Sequence, residues 1–271
     1  MYAFRYRKAQ SLNDAAEILG SDGEARPLSG GMTLIPTLKQ RLAQPTQLID
    51  ISGLADLAGI THASGMLTIG AATRHADVAA SGVVQQTIPA LACLAAGIGD
   101  PQVRNRGTLG GSVANNDPAA DYPSAVLALN AKVITNSREI AADDFFQGMF
   151  TTALEPGELI VSIAFPLPKA AAYCKFPHPA SGYAMAGVFI ADTTQGVRVA
   201  VTGAGASGVF RWKAAEQALA SGFSPAAVSG LTLAADDCNE DIHGSREYRA
   251  QLVKVMAVRA TTALAVKPSA Q

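Results

Sequence analysis

One stretch near the middle of the chain carries most of the residues that could do chemistry. Residues 104–123 contain three glycines, three side-chain amides, two carboxylates and two arginines, with few residues that could build a core. The pair Gly110-Gly111 lets the backbone adopt positive φ and approach a ligand closely. Exposed successive N–H groups in such a turn form a concave anion site. Asp117 and Asp121 could accept hydrogen bonds from hydroxyls, so the stretch predicts a dinucleotide site; a glycine-rich surface loop is the alternative.

A second glycine pair lies earlier in the chain. Residues 25–28 predict a strand, and Pro36 suits the first turn of a helix that follows it. Gly30 and Gly31 therefore lie between a strand and a helix N-terminus. Backbone N–H groups and the positive end of the helix dipole bind phosphate at such a position. A tight turn without a ligand is the alternative, because one glycine pair is a weak signal.

A third glycine motif competes with these two. Residues 203–208, Gly-Ala-Gly-Ala-Ser-Gly, formally match GxGxxG, between a predicted strand at 197–201 and a predicted helix at 210–220. The Asp or Glu expected about twenty residues later at the end of a second strand is absent. A single strand–helix step this late in the chain also leaves no room for a doubly wound sheet. An NAD-dependent dehydrogenase using this loop is the rival hypothesis, and these two observations weaken it.

The composition indicates a globular protein with a sizeable core. Of the 271 residues, 49% are hydrophobic and 16% are charged, below the usual quarter, which is typical of a chain partly covered by other subunits. The net charge of −1 gives no support for nucleic acid or an anionic membrane as a partner. The longest apolar run, residues 88–98, is too short to span a membrane, so no stable membrane insertion is expected.

The cysteines and the first residues bear on the compartment. Cys93, Cys174 and Cys238 are far apart and fit neither a disulfide framework nor a metal site. We predict that they are buried small hydrophobes in a reducing compartment. Residues 1–7 lack the apolar segment of a signal peptide. A cytoplasmic location is therefore expected.

The elements that must position these residues follow an α+β pattern. Ser11 is predicted to cap a first helix between short strands. His75 is predicted as a helix-capping residue rather than a catalytic one. The remaining predicted elements are strands at 66–70, 131–135, 158–165, 183–190 and 197–201, helices at 89–97, 124–129, 210–220 and 246–265, and a linker at 166–172.

The two glycine pairs together resemble the FAD-binding medium subunit of the molybdenum hydroxylases, the xanthine dehydrogenase and carbon monoxide dehydrogenase group. The resemblance covers essentially the whole chain and rests on residues 29–36, 68–75, 104–121, 175–187 and 201–206. It implies a two-subdomain FAD-binding fold of the vanillyl-alcohol-oxidase (PCMH) type, followed by a C-terminal α+β domain with a three-stranded sheet and a helical bundle. The implied domains are FAD-binding subdomain 1 at 1–54, FAD-binding subdomain 2 at 55–167 and a C-terminal carbon monoxide dehydrogenase flavoprotein-like domain at 168–271.

The resemblance also implies roles for individual residues. The first loop begins at Ser29, and the backbone N–H groups that would hold the FAD diphosphate are those of Gly30, Gly31, Met32, Thr33, Leu34, Thr108, Gly110 and Gly111. Ser112 and Asn116 would line the same pocket, and Asp121 would bind the ribityl hydroxyls. The remaining implied contacts are Ile160 beside the flavin or the adenine, Tyr183 near the isoalloxazine and Lys175 near its pyrimidine edge. Without the resemblance, Tyr183 is an ordinary strand aromatic and Lys175 a solvated charge.

The resemblance implies an electron-transfer subunit of an oxidoreductase with no catalytic side chain and no metal site of its own, because FAD carries the redox chemistry. Three scattered cysteines cannot bind a [2Fe–2S] cluster, which needs four thiolates. The implied partners are a large subunit with the molybdenum cofactor and a small subunit with two [2Fe–2S] clusters, in a dimer of heterotrimers. Electrons would pass from the clusters through FAD to NAD+, a quinone or oxygen. A flavin-free scaffold or maturation subunit is a further alternative, and the substrate stays open.

Overall fold

The fold is described from a computed structural model, which covers residues 1–265. Three main sheets follow one another along the chain, and the buried hydrophobic residues form three clusters. No helix in this part of the chain combines the length and the apolar character needed to cross a bilayer. The division into domains at 1–54, 55–167 and 168–271 stays a prediction, and its last residues, 266–271, lie outside the described ones.

The first sheet contains three parallel strands in the order β1-β3-β2. Its elements are β1 Arg5–Lys8, α1 Leu12–Ser21, β2 Arg26–Leu28, α2 Leu34–Lys39 and β3 Gln47–Asp50. Ser11 caps α1 as predicted, since its hydroxyl accepts the Asp14 N–H at 3.1 Å. Because β2 ends at Leu28, the first glycine loop leaves the sheet at the carboxyl end of a strand, where open α/β sheets bind ligands.

The second sheet has five antiparallel strands in the order β4-β5-β10-β6-β7. Two strands and six helices come first in this region: β4 Ile60–Ala63, β5 Met66–Gly70, α3 His75–Ala80, α4 Gly82–Thr87, α5 Pro89–Ala96, α6 Pro101–Arg104, α7 Leu109–Asn115 and α8 Tyr122–Ala128. They are followed by β6 Lys132–Thr135, β7 Glu139–Ala141, α9 Ala142–Phe145, the ribbon of β8 Phe146–Gly148 and β9 Thr151–Thr152, and β10 Ile160–Pro166. The apolar helix α5 and the buried α8 complete the largest hydrophobic cluster.

The third sheet has four antiparallel strands in the order β11-β12-β13-β14. Its elements are β11 Ala170–Pro177, β12 Ala184–Thr193, β13 Gly196–Thr202, β14 Phe210–Arg211, α10 Lys213–Ser221, α11 Pro225–Ser229 and α12 Arg246–Ala265. Helices α10 and α12 pack on one face of the sheet, and α8 packs on the other. Burial on both faces explains why β12 is a nearly continuous apolar run.

Two predictions about this region are wrong. The linker predicted at 166–172 already contains the first residues of β11, which pairs with β12 from Ala170 opposite Asp192. The predicted three-stranded sheet has a fourth strand, because Phe210 and Arg211 pair with β13 instead of starting a helix. Each strand is defined by its pairing with the strand next to it in the chain, and such pairing overrides the local preference of alanine-rich or helix-like segments.

The loop between α7 and α8 is tied to the third sheet. The buried Thr202 hydroxyl lies 2.6 Å from the carbonyl oxygen of Ala120 and 3.1 Å from that of Pro118. The Gly203 N–H donates to the same Pro118 carbonyl at 2.8 Å. The segment that leads to Asp121 is therefore held by the end of β13.

Candidate functional site

A cleft of about 420 Å³ is lined by both predicted glycine loops, by α7 and by the start of β10. Its volume is within the usual range for ligand pockets. The predicted residues that line it are Ser29, Gly30, Gly31, Met32, Thr33, Leu34, Thr108, Gly110, Gly111, Ser112, Asp121, Ile160 and Tyr183. Asn116 and Lys175 lie outside its lining.

The two glycine loops touch each other, although they start from different sheets. A Cβ atom at Gly30 would lie 2.1 Å from the carbonyl oxygen of Arg106, so only glycine permits this approach. The hydroxyls of Ser29 and Thr108 are 3.0 Å apart. The loops therefore form one continuous wall of the cleft.

The first loop offers free backbone donors. Gly31 has φ of +73°, a left-handed conformation that favours glycine. The Ile35 N–H makes the first hydrogen bond into the loop, to the Gly31 carbonyl. Within residues 1–265, the N–H groups of residues 30–34 donate to no protein acceptor. These groups precede and begin α2, a position that attracts a phosphate group.

The second loop offers fewer donors than the sequence predicts. The Gly110 N–H donates to the Ala71 carbonyl at 2.8 Å, and a Cβ at 110 would lie 2.5 Å from the Ala71 Cβ. Gly110 therefore serves close packing, and its N–H is not free for a diphosphate. The Gly111 N–H is bound at 3.2 Å by the Thr108 hydroxyl, which caps α7. Among residues 108–112, the Thr108 N–H and the Ser112 hydroxyl stay available as donors, and the exposed Gly111 leaves room for a ligand.

An ionic cluster lies at the buried end of the cleft. Asp121 is 3% exposed, and its Oδ1 accepts hydrogen bonds from the Tyr173 hydroxyl at 2.5 Å and from Lys175 Nζ at 2.9 Å. Burial raises the pKa of Asp121, while the Lys175 charge and the Tyr173 hydrogen bond act against that rise. Because both partners bind Oδ1, Oδ2 is the oxygen left for a ligand.

Two predicted site residues, Lys175 and Asn116, hydrogen-bond to groups away from the cleft lining. Lys175 Nζ lies behind Asp121 and also donates to the carbonyls of Gly97 and Gly182, at 2.8 and 2.9 Å. Asn116, with φ of +45°, ends α7 and donates from its side-chain amide to the carbonyls of Gly148 and Thr151, at 2.7 and 2.8 Å. These two carbonyls belong to β8 and β9 and lie outside the cleft lining, so Asn116 supports the β8–β9 ribbon.

His75 lines the cleft, although the sequence predicts a helix-capping role for it. It is the first residue of α3 and not its cap, which is Arg74. Its ring is buried, its Nδ1 has no partner in the described part of the chain, and burial with the Arg104 charge lowers its pKa to about 4. The imidazole is therefore neutral at physiological pH. The only sign in the sequence that His75 lies near the site is its position in residues 68–75, one of the stretches that carry the family resemblance.

The third glycine motif is not a nucleotide-binding loop. Residues 203–208 connect the antiparallel strands β13 and β14, and α10 starts only at Lys213. A Cβ at Gly203 would lie 2.3 Å from the Ala184 carbonyl oxygen, and one at Gly205 would lie 2.1 Å from that of Gly208. These glycines serve chain packing, so the NAD-dependent dehydrogenase hypothesis loses its structural basis.

The cleft has free amides on one wall and a buried carboxylate at its end, and no Rossmann loop among residues 1–265 contributes to it. These features are those of an α+β protein that binds a dinucleotide. Residues 2–168 match the family described as the FAD binding domain in molybdopterin dehydrogenase. The match covers more than half of the chain, and the chain belongs to this family of oxidoreductase flavoprotein components.

Two relatives and one solved structure illustrate the similarity. The glyceraldehyde dehydrogenase medium chain of Sulfolobus acidocaldarius is 39% identical over 199 residues, 71% of each chain. The carbon monoxide dehydrogenase medium chain of Hydrogenophaga pseudoflava is 34% identical over 276 residues, 96% of each chain. A structure of carbon monoxide dehydrogenase from Hydrogenophaga pseudoflava, lacking the Mo-pyranopterin moiety of the molybdenum cofactor, matches with a TM-score of 0.90 at 35% identity and 99% coverage of both chains.

Proposed function

We propose that this chain is the FAD-binding electron-transfer subunit of a heterotrimeric molybdenum hydroxylase. One observation carries the proposal: the two glycine loops touch through Gly30 and the Ser29–Thr108 hydroxyl pair, and they line one cleft that ends at Asp121. Family membership and the similarity to medium chains of dehydrogenases support it. The proposal includes a cytoplasmic dimer of heterotrimers, a heterohexamer.

The side chains and amides around the cleft fit a flavin dinucleotide. The free amides of residues 30–34 suit the diphosphate, and the first turn of α2 contains no acidic residue that would repel it. Asp121 Oδ2 suits the ribityl hydroxyls. Ile160 gives an apolar wall to the flavin or the adenine, and the half-exposed Tyr183 gives a ring face for the isoalloxazine.

When bound, FAD supplies the redox chemistry that links one-electron donors to a two-electron acceptor. The residues of this chain would bind and orient it: the amide dipoles would stabilise the charge of the diphosphate, Asp121 would fix the ribityl chain, and the neutral His75 would add no charge to the cleft. The molybdenum cofactor and two [2Fe–2S] clusters would belong to a large and a small partner subunit. Electrons would leave for NAD+, a quinone or oxygen.

The cysteines agree with iron–sulfur clusters in a partner. Cys238 is buried, Cys174 is half-buried and Cys93 is exposed, so the prediction that all three are buried is wrong for Cys93. The chain contains three cysteines, and a [2Fe–2S] cluster bound by thiolates needs four. This chain would therefore receive electrons from outside its own fold.

Replacing Gly111 with valine tests the site. Gly111 lines the cleft, and a Cβ there would lie 2.8 Å from the Thr108 hydroxyl, so the valine would both narrow the cleft and displace that hydroxyl. We expect the Gly111→Val complex to keep its fold and to retain less than about a tenth of the FAD, because the ligand would lose its closest approach to α7. Flavin is measured by absorbance and extraction from the full-length chain purified with its accompanying subunits.

Gly230→Val is the matched control, since Gly230 is exposed and a Cβ there meets no atom within 4 Å. It should keep one FAD per chain. Equal flavin content in both variants would contradict the placement of the site. An unaltered complex without flavin absorbance would contradict the proposed function and favour a scaffold or maturation subunit.

A further inference from the structure

Strand β11 presents two side chains to one carboxylate oxygen. Tyr173 and Lys175 are two residues apart, so both point to the same face of the strand. Their polar ends converge on Asp121 Oδ1, at 2.5 and 2.9 Å. The Lys175 ammonium has two further acceptors, the carbonyls of Gly97 and Gly182, whereas Asp121 is the acceptor of the Tyr173 hydroxyl.

The neighbouring strand makes room for the phenol of Tyr173. A Cβ at Gly187 on β12 would lie 2.5 Å from the Tyr173 hydroxyl oxygen and 3.2 Å from the ring. Phe189 lies opposite Tyr173 in the strand register, with ring centroids 6.0 Å apart. The ring is therefore held from one side by Phe189, and its hydroxyl passes over the space that a side chain at 187 would fill.

We propose that Tyr173 is a positioning residue for the cofactor: by holding Oδ1 of Asp121 together with Lys175, it turns Oδ2 toward the ribityl hydroxyls of FAD. The inference rests on the proposed FAD site and adds a residue outside the lining of the cleft. Without the phenol hydroxyl, Oδ1 keeps the Lys175 ammonium as its side-chain partner, and the loss of the second side-chain donor lets the carboxylate rotate more freely about its Cβ–Cγ bond.

The double-mutant cycle of Tyr173→Phe and Asp121→Ala tests this role in the full-length chain within its complex. Tyr173→Phe keeps the ring against Phe189 and removes only the hydroxyl. We expect the FAD dissociation constant to rise about tenfold in the otherwise unaltered chain and by less than about twofold when Asp121 is alanine. Tyr248→Phe, at an exposed tyrosine of α12, is the matched control and should leave FAD binding unchanged.

The pH dependence of flavin release gives a second readout that a packing role would not change. The groups that face Asp121 are Lys175 and Tyr173 from β11, Tyr122 from α8 and Tyr183 before β12. The Tyr173 hydrogen bond lowers the pKa of Asp121, so its removal raises that pKa. The pH at which FAD is released on acidification should therefore be higher for Tyr173→Phe than for the unaltered complex.

Each result decides the inference. Equal losses from Tyr173→Phe in both backgrounds, or no loss in either, would overturn it while leaving the FAD site intact. An unaltered complex without FAD would overturn both the site and the inference. If the Asp121→Ala chain does not assemble, an unchanged pH of flavin release in Tyr173→Phe overturns the role of Tyr173, and an upward shift supports it.

Discussion

At the scale of single residues, burial and partners distinguish two aspartates that look equivalent in the sequence. Asp117 and Asp121 both line the cleft. Asp117 Oδ1 accepts the Ala119 N–H at 2.9 Å, which stabilises the local turn. Asp121 is buried and paired with Lys175, so its free oxygen is fixed relative to the cleft. Asp121 is thus the residue suited to bind a ligand hydroxyl.

Asp121→Ala should therefore lower FAD retention more than Asp117→Ala. A hydrogen bond to a charged group contributes roughly 1.5–3 kcal/mol, which corresponds to about a tenfold or larger rise in the dissociation constant. Asp117→Ala should remove the hydrogen bond that stabilises the local turn and should leave most of the affinity for FAD. Flavin occupancy of the two variants, measured side by side, checks this, and equal occupancy would argue against Asp121 as the ribityl ligand.

The sequence predicts which residues line the cleft better than it predicts which of their atoms are free. Gly30 and Gly31 follow from residue type and spacing, whereas the choice of Asp121 over Asp117 follows from the family resemblance. The engagement of the Gly110 N–H with Ala71 and of the Asn116 amide with Gly148 depends on contacts between distant segments, which no local pattern contains. Tyr173 was missed for the same reason, since a tyrosine on a strand gives no sign of its partner.

At the scale of elements, two helix N-caps make the same hydrogen bond in different surroundings. The Ser11 hydroxyl caps α1 at the Asp14 N–H, and the Thr108 hydroxyl caps α7 at the Gly111 N–H. Thr108 also contacts Ser29 of the first loop, at 3.0 Å. Only the second cap therefore joins the two walls of the cleft.

Thr108→Val and Ser11→Ala should separate stability from binding. Each removes a cap and should lower the free energy of unfolding by about 1 kcal/mol. Only Thr108→Val should also weaken FAD binding, because it breaks the link between the glycine loops. Denaturant unfolding and FAD titration of both variants test the expectation, which fails if the two bind FAD equally well.

Predictions of helices and strands are correct where the hydrophobic pattern is long, and they are wrong where strand pairing determines the structure. The helix predicted at 246–265 is confirmed as α12, with buried residues spaced three and four apart over twenty residues. Strand β14 contains two residues and is defined only by its pairing with β13. A segment this short is assigned to the following helix by its composition, because two residues are too few to show the alternation of a strand.

At the scale of the whole molecule, two groups with lowered pKa values predict how the fold responds to acid. His75 is buried as a neutral imidazole with a pKa of about 4. Glu158 accepts two hydrogen bonds from Arg138, each of 2.9 Å, and these contacts lower the pKa of Glu158 to about 2. In both cases the unfolded chain binds a proton more readily than the folded one, so stability falls as the pH falls.

The two groups act in different pH windows. His75 has an ordinary pKa of about 6.5, so its contribution decreases between about pH 6.5 and 4. The contribution of Glu158 is present above about pH 4.5 and is lost as the pH falls through about 2. We expect His75→Gln to flatten the decrease of the unfolding midpoint in the upper window, and Glu158→Gln to flatten it in the lower one.

Thermal unfolding over a pH series checks these slopes. Parallel curves for His75→Gln and the unaltered chain between pH 6.5 and 4 would show that protonation of another group controls the fold there.

The ties between the segment leading to Asp121 and the third sheet limit how this protein could be shortened or recombined. A fragment ending at residue 168 would contain the region that matches the FAD-binding family and every glycine that lines the cleft. It would lack Tyr173, Lys175 and the Thr202 hydroxyl. Exchanging the C-terminal region between relatives would replace the groups that contact Asp121. A portable flavin carrier made from this chain would need to extend through β13.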